Sequence, residues 1–98
     1  MQILKQNVCG KDIVRIGTDK GIDWSDELTL EFAFSKEWDG MVKVVSFTRG
    51  DREFEPQVLR NGTTCVVPKE VMDGNWFRYQ ILGKRGNERM TTNTYILM

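Results

Sequence analysis

Leu28, Leu30, Phe32 and Phe34 alternate with Thr29, Glu31 and Ala33. That two-residue period sets one face of a β-strand against a core and the other in solvent. The run over residues 41–48 is rich in valine and phenylalanine and reads as a second strand. Its alternation is blurred, because Val42 and Val44 lie opposite Val45 and Phe47. The pattern therefore predicts a strand covered on both faces, as in a sandwich or at an oligomer contact. In the strand predicted over residues 76–82, Phe77, Tyr79 and Ile81 form one face and Arg78 and Gln80 the other.

Residues 57–60 and 63–67 flank Asn61-Gly62. Asn-Gly supplies the two positive-φ positions of a type I′ turn, so a β-hairpin is expected there. Pro68 lacks a backbone N–H and must end the pairing of its strand. It also suits the start of a helix, which Lys69-Glu70-Val71-Met72 can continue for about one turn before Asp73-Gly74-Asn75 breaks it. Residues 3–8 and 13–16 are short strands joined near Cys9-Gly10, and a last strand covers residues 89–97. Residues 17–25 read as an irregular loop, and Gly83-Lys84-Arg85-Gly86-Asn87 as a polar one. Six to eight short strands with one helical turn at residues 68–72 predict an all-β fold. The expected architecture is an antiparallel β-sandwich, Ig-like or jelly-roll-like. Residues 1–98 form a single domain, with no linker, repeat or low-complexity tract.

A chain of this size buries roughly 60–70% of its unfolded surface, so oligomerisation would add stability. Lysine plus arginine and aspartate plus glutamate number 14 each. That balance gives no electrostatic argument for nucleic acid or for an acidic membrane. No apolar stretch approaches the ~20 residues needed to span a bilayer, and Lys5 interrupts the opening run before a signal core could form. The expectation is a soluble protein folded in a cytoplasm, without membrane insertion or nucleic-acid binding.

The sequence has no histidine. The commonest general base and metal ligand is thus missing, and with it any Ser-His-Asp or Cys-His arrangement. Cys9 and Cys65 are far apart and form no CxxC pair, so zinc is not expected. They read as small buried hydrophobes, with a disulfide between them left open. Asp51, Glu53 and Glu55 could be proposed as a carboxylate pair, but alternating charges on a β-segment read more simply as a solvated face. No catalytic, cofactor-binding or metal-binding residues are assigned, and the expectation is that the protein is not an enzyme.

Arg49-Gly50-Asp51 matches the integrin-recognition tripeptide, yet Gly and Asp are also ordinary turn residues. Trp24, Trp38, Trp76, Tyr79 and Tyr95 could stack on the apolar faces of sugars. Core or intersubunit packing is the simpler role for such residues in a small β-domain. A module recognising host-surface glycans stands as the alternative function, and it requires the tryptophans to be exposed.

Two spaced motifs remain: Trp38-Asp39-Gly40-Met41-Val42-Lys43 with Phe47 after it, and Cys65-Val66-Val67-Pro68-Lys69-Glu70-Val71-Met72. Gly83 and Gly86 follow in a hairpin-like segment, then Thr91-Thr92 in the last strand. In that order, over about residues 28–98, they resemble a small structural domain of tailed bacteriophage and prophage virion proteins, chiefly of Gram-positive hosts. Lys69 stands where that pattern often has an aromatic, and residues up to about 26 do not match it. The resemblance implies a module of a fibre, baseplate or head-decoration protein, made in the host cytoplasm and carried in the virion. Its partners would be other virion proteins and further copies of itself, a trimer being the form common among fibre proteins. Under it, Trp38 plugs the end of the sandwich, Gly40 makes the corner and Pro68 fixes the switch from strand to turn.

Overall fold

Alternation along the strands sorts the side chains into one interior and two outer faces. The computed structural model of the protein describes residues 2–16 and 21–98. In β1 (Gln2–Cys9) every second side chain is buried, namely Leu4, Gln6 and Val8. β2 (Asp12–Arg15) returns antiparallel to it through a turn in which Gly10 has φ +58°. β3 (Leu28–Phe34) keeps the predicted period and buries Leu28, Leu30 and Phe32. A 3-10 turn (Lys36–Trp38) leads to β4 (Val42–Arg49), which sends Val45 and Phe47 inward.

The edge of β4 is paired by two fragments, β5 (Arg52–Glu53) and β6 (Gln57–Val58). Then come β7 (Thr64–Val66) and helix α1 (Lys69–Met72). The chain closes with β8 (Phe77–Arg85), β9 (Glu88–Thr91) and β10 (Tyr95–Leu97).

Two open sheets result. One has the order β2-β1-β3-β7. The other has β10-β8-β4-β5, with β6 also on β4 and β9 also on β8. The expected all-β sandwich is what the chain forms, with more and shorter strands than the six to eight predicted, because both edges of the β4–β8 pair carry broken strands. One pair departs from the antiparallel expectation: β1 and β3 run parallel, Gln2 opposite Leu28 through Val8 opposite Phe34. The connection from β2 to β3 crosses to the far side of β1, which leaves β3 no other direction. Of the loop predicted over residues 17–25, residues 17–20 lie outside the described residues; the rest is irregular.

The Asn61-Gly62 turn forms as expected, with φ of +52° and +70°. The hairpin around it does not. β6 pairs with β4 in one sheet and β7 with β3 in the other, leaving only an isolated bridge between Arg60 and Thr64. The turn is a corner between sheets. Gly83, Lys84 and Arg85 are likewise not a loop: they belong to β8, and only the Gly86-Asn87 turn separates it from β9.

The last strand is broken at Thr92. Its backbone N–H donates to the Ile81 carbonyl (3.0 Å), and its Oγ1 accepts from the Ile81 N–H (2.9 Å). Asn93 then reaches the other sheet. Its N–H donates to the Lys11 carbonyl (2.8 Å), and its Oδ1 accepts from the Ile13 N–H (3.1 Å). The two sheets are stitched together at that edge.

One continuous core lies between them, built on Phe32, Phe47, Phe77 and Tyr79, with Trp38 fully buried at one end. Trp38 Nε1–H donates to the Gly10 carbonyl (2.7 Å), and Gly40, with φ +75°, turns the chain into β4. Pro68 (φ −58°) caps α1 at the other end, where Val71 and Met72 are buried. A single polar pair crosses the interior: the Tyr79 hydroxyl donates to Gln6 Oε1, while Gln6 Nε2 donates to the Leu4 carbonyl at 3.2 Å. Burial pushes the Tyr79 phenol well above its ordinary range.

Candidate interaction face

The blurred alternation of residues 41–48 has a direct structural outcome. Val45 and Phe47 enter the core, so Val42, Val44, Ser46 and Thr48 line the outer face of the six-stranded sheet. Val44 lies opposite both Leu82 and Val58. Val42 and Val58 are 64% and 65% exposed. These four side chains form an apolar patch with nothing over it. Isolated exposed hydrophobics are ordinary; contiguous ones mark contact sites.

Beside the patch a depression of about 680 Å³ opens between β4, β8 and β9, walled by Val44, Leu82, Met90 and the stem of Lys84. At the other end of the same face the lining turns polar. Ser46, Thr48, Gln80 and Thr94 surround a second hollow of about 410 Å³, with Arg78 and Ile96 at its rim. The whole face is an apolar patch graded into hydroxyl and amide groups, with Arg78, Lys84 and Arg89 distributed across it.

The other residues singled out by sequence fall elsewhere. Asp51, Glu53 and Glu55 are exposed, as expected of a solvated face. Phe54 between them is buried, with the Arg49 and Arg52 guanidinium groups at 5.1 and 4.5 Å from its ring centre. Among the described residues no three His, Cys, Asp or Glu side chains are placed to hold a metal ion.

In Arg49-Gly50-Asp51 the glycine makes the turn, at φ +58°. Its arginine is not displayed. Arg49 folds back to donate to the carbonyls of Val71 (2.7 Å), Trp76 (3.3 Å) and Glu70 (3.4 Å). It satisfies carbonyls at the end of α1 that have no partner within the helix.

The aromatic set is divided. Trp38 and Tyr79 are interior, at 0% and 1% exposure. Trp24 is half-buried, edge-on to Phe77 at 5.8 Å, and Tyr95 packs on Tyr79 at 5.5 Å. Trp76 is half-buried under the Arg78 guanidinium at 5.8 Å. Trp38 and Tyr79 are thus unavailable to a surface platform.

The cysteines do not pair. Cys65 points into the core, where burial pushes its thiol up to about 11, whereas Cys9 is exposed on an outer face. The reading of Cys9 as buried is corrected: odd positions of β1 face outward, and Cys9 is one of them.

The outer patch was legible in part, through Val42 and Val44. Val58 and Leu82 were missed as its members, because only strand pairing reveals which residues stand beside Val44. No helix among the described residues is long and apolar enough to cross a membrane. No family model matches the chain, and neither a curated protein nor a solved structure matches it.

Proposed function

We propose that this domain is a structural module of a tailed-phage particle, acting through protein–protein contacts in a fibre, baseplate or head-decoration protein. The observation that carries the reading is the uncovered apolar patch of Val42, Val44, Val58 and Leu82. Hiding such a patch from water is the driving force of most protein association, at roughly 25 cal/mol per Å². The phage context comes from the Trp38-to-Lys43 and Cys65-to-Met72 motifs and their resemblance to virion domains. Those motifs have scaffold work in the fold: Trp38 fills one end, Gly40 turns the corner and Pro68 starts α1. Partners are then other virion proteins and copies of the same chain.

The test is mass spectrometry and immunogold electron microscopy of purified particles made from the genome that encodes the chain. Label on fibres, baseplate or head is expected. A Val42→Glu/Val58→Glu variant, folded but with its patch charged, should be missing from the particles. Absence of the wild-type chain from the particles by mass spectrometry would sink the proposal.

A further inference from the structure

Among the described residues, the large hydrophobic side chains left exposed are Ile3, Val14, Ile16, Val66, Val42, Val58, Ile96 and the terminal Met98. Apart from Met98, they stand on the two outer sheet faces. Val42, Val58 and Ile96 belong to the six-stranded sheet, the face described above. Ile3, Val14 and Val66 are on the four-stranded sheet, where Ile3 lies opposite Thr29, and Thr29 opposite Val66. Ile16 extends the edge of that sheet, its N–H donating to the Lys5 carbonyl at 3.0 Å. The sandwich thus presents two apolar faces that point away from each other.

The faces differ in charge. On the six-stranded sheet Arg78, Lys84 and Arg89 face out with Glu53. On the four-stranded sheet Asp12 and Glu31 face out with Lys5, and Lys5 is held by Glu31 at 3.8 Å. One face is therefore cationic and the other weakly anionic. Two like faces brought together would set charges of one sign against each other, whereas unlike faces are complementary.

We infer that copies of this chain dock head to tail, the outer face of the four-stranded sheet of one copy covering the outer face of the six-stranded sheet of the next. The inference rests on the outer face being an assembly surface, as proposed above, and goes beyond it by naming the occupant and its polarity. Such a contact is heterologous: it leaves one free face at each end and builds a ring or an open stack.

Strand dimensions bound its strength. Strands β4 and β8, of eight and nine residues, run about 28 Å at about 3.3 Å per residue, and the four columns of the sheet span about 19 Å. A face of about 500 Å² falls below the roughly 800 Å² per partner of a standard interface. Association of the free domain is then weak, and it becomes strong when many copies are held side by side.

Sedimentation equilibrium from about 10 µM to about 1 mM tests this across the range expected of a small interface. Wild-type protein should show mass rising with concentration past the dimer. Two variants each close one face: Val42→Glu/Val58→Glu on the cationic face and Ile3→Lys/Val14→Lys on the anionic one. All four positions are more than half exposed, so both variants should melt near the wild type. Each should be monomeric alone, and an equimolar mixture should form a dimer and nothing larger, because one intact face of each kind remains.

Self-association of either variant by itself, a monomeric mixture, or a monomeric wild type at about 1 mM would each overturn the head-to-tail contact. A chain found in particles but monomeric in solution would remove this contact and leave the virion reading standing. A chain that stacks in solution but is absent from particles would do the reverse.

Discussion

Gly83 lies in the middle of β8 with the indole of Trp38 resting on it. A methyl group there would fall 2.6 Å from Trp38 Cζ3 and 2.9 Å from both Trp38 Cε3 and Met41 Sδ. Methionine can move aside, but the indole cannot. It is fully buried, anchored through Nε1 to the Gly10 carbonyl at 2.7 Å and packed on Phe34 at 5.3 Å. Two effects oppose each other in Gly83→Ala. Replacing glycine within a strand returns about 0.5–1 kcal/mol of backbone entropy. Forcing a methyl into a filled core costs about 1–3 kcal/mol. Packing should win, with a net loss of about 1–2 kcal/mol. For a domain of this size that lowers the melting temperature by about 5–15 °C.

Thermal and urea unfolding followed by circular dichroism measure it directly. The cause is tested by repeating the change in a Trp38→Phe background. The smaller ring leaves room for the methyl, so Gly83→Ala should there be neutral or mildly stabilising, a coupling of about 1 kcal/mol or more. A Gly83→Ala protein that melts at or above the wild type would refute the argument, as would an equal loss in both backgrounds.

Tyr79→Phe removes the donor to Gln6 Oε1 and leaves a buried amide oxygen unpaired. It should cost about 1–3 kcal/mol in urea unfolding, and adding Gln6→Leu should recover most of it. In the native protein a disulfide reagent should label Cys9 quickly and Cys65 only as fast as the chain unfolds, read as two phases of thiol release. The folded state raises the Cys65 thiol from 9.0 to about 11, so the unfolded chain ionises first. The stability this contributes is complete below pH 9 and fades as pH rises toward 11; chemical denaturation of Cys65→Ala should show a flatter profile across that window. Arg49→Ala removes hydrogen bonds to three carbonyls near α1 and should lower stability by about 1.5–3 kcal/mol. Arg49→Lys should recover little in the same melt, since one ammonium cannot reproduce the guanidinium fork.

Features set by neighbouring residues were readable along the chain. The period of β3, the Asn61-Gly62 turn and the Pro68-led helix all follow from local stereochemistry. So does the double-sided character of β4, from which the candidate face was inferred. What failed depends on residues distant in sequence. Asn61-Gly62 makes the same turn whether its flanks pair with each other or with different sheets, and here β3 and β4 claim them separately. Gly83 looked like a loop residue because nothing nearby shows that Trp38 lies on it. Thr92 breaks the last strand by a side-chain bond that sequence periodicity does not register. The parallel pairing of β1 with β3 is fixed by a crossing whose direction the strand pattern does not encode.

The wedging of β1 between β2 and β3 also dictates when the protein can fold. Gln2 must find Leu28, Leu30 must find Cys65, and Phe47 must find Tyr79. Only the short hairpins close locally, so loop-closure entropy must be met before most pairings form, and all-β chains of this kind fold in milliseconds to seconds. On the ribosome the four-stranded sheet stays open until β7 emerges, and the other until β10, almost the last residues made. Through that interval Leu28, Phe32 and Phe47 have no lid. A nascent chain crowded by copies of itself is most exposed to aggregation then, so slower synthesis at low temperature should raise the soluble yield more than any change to the finished surface.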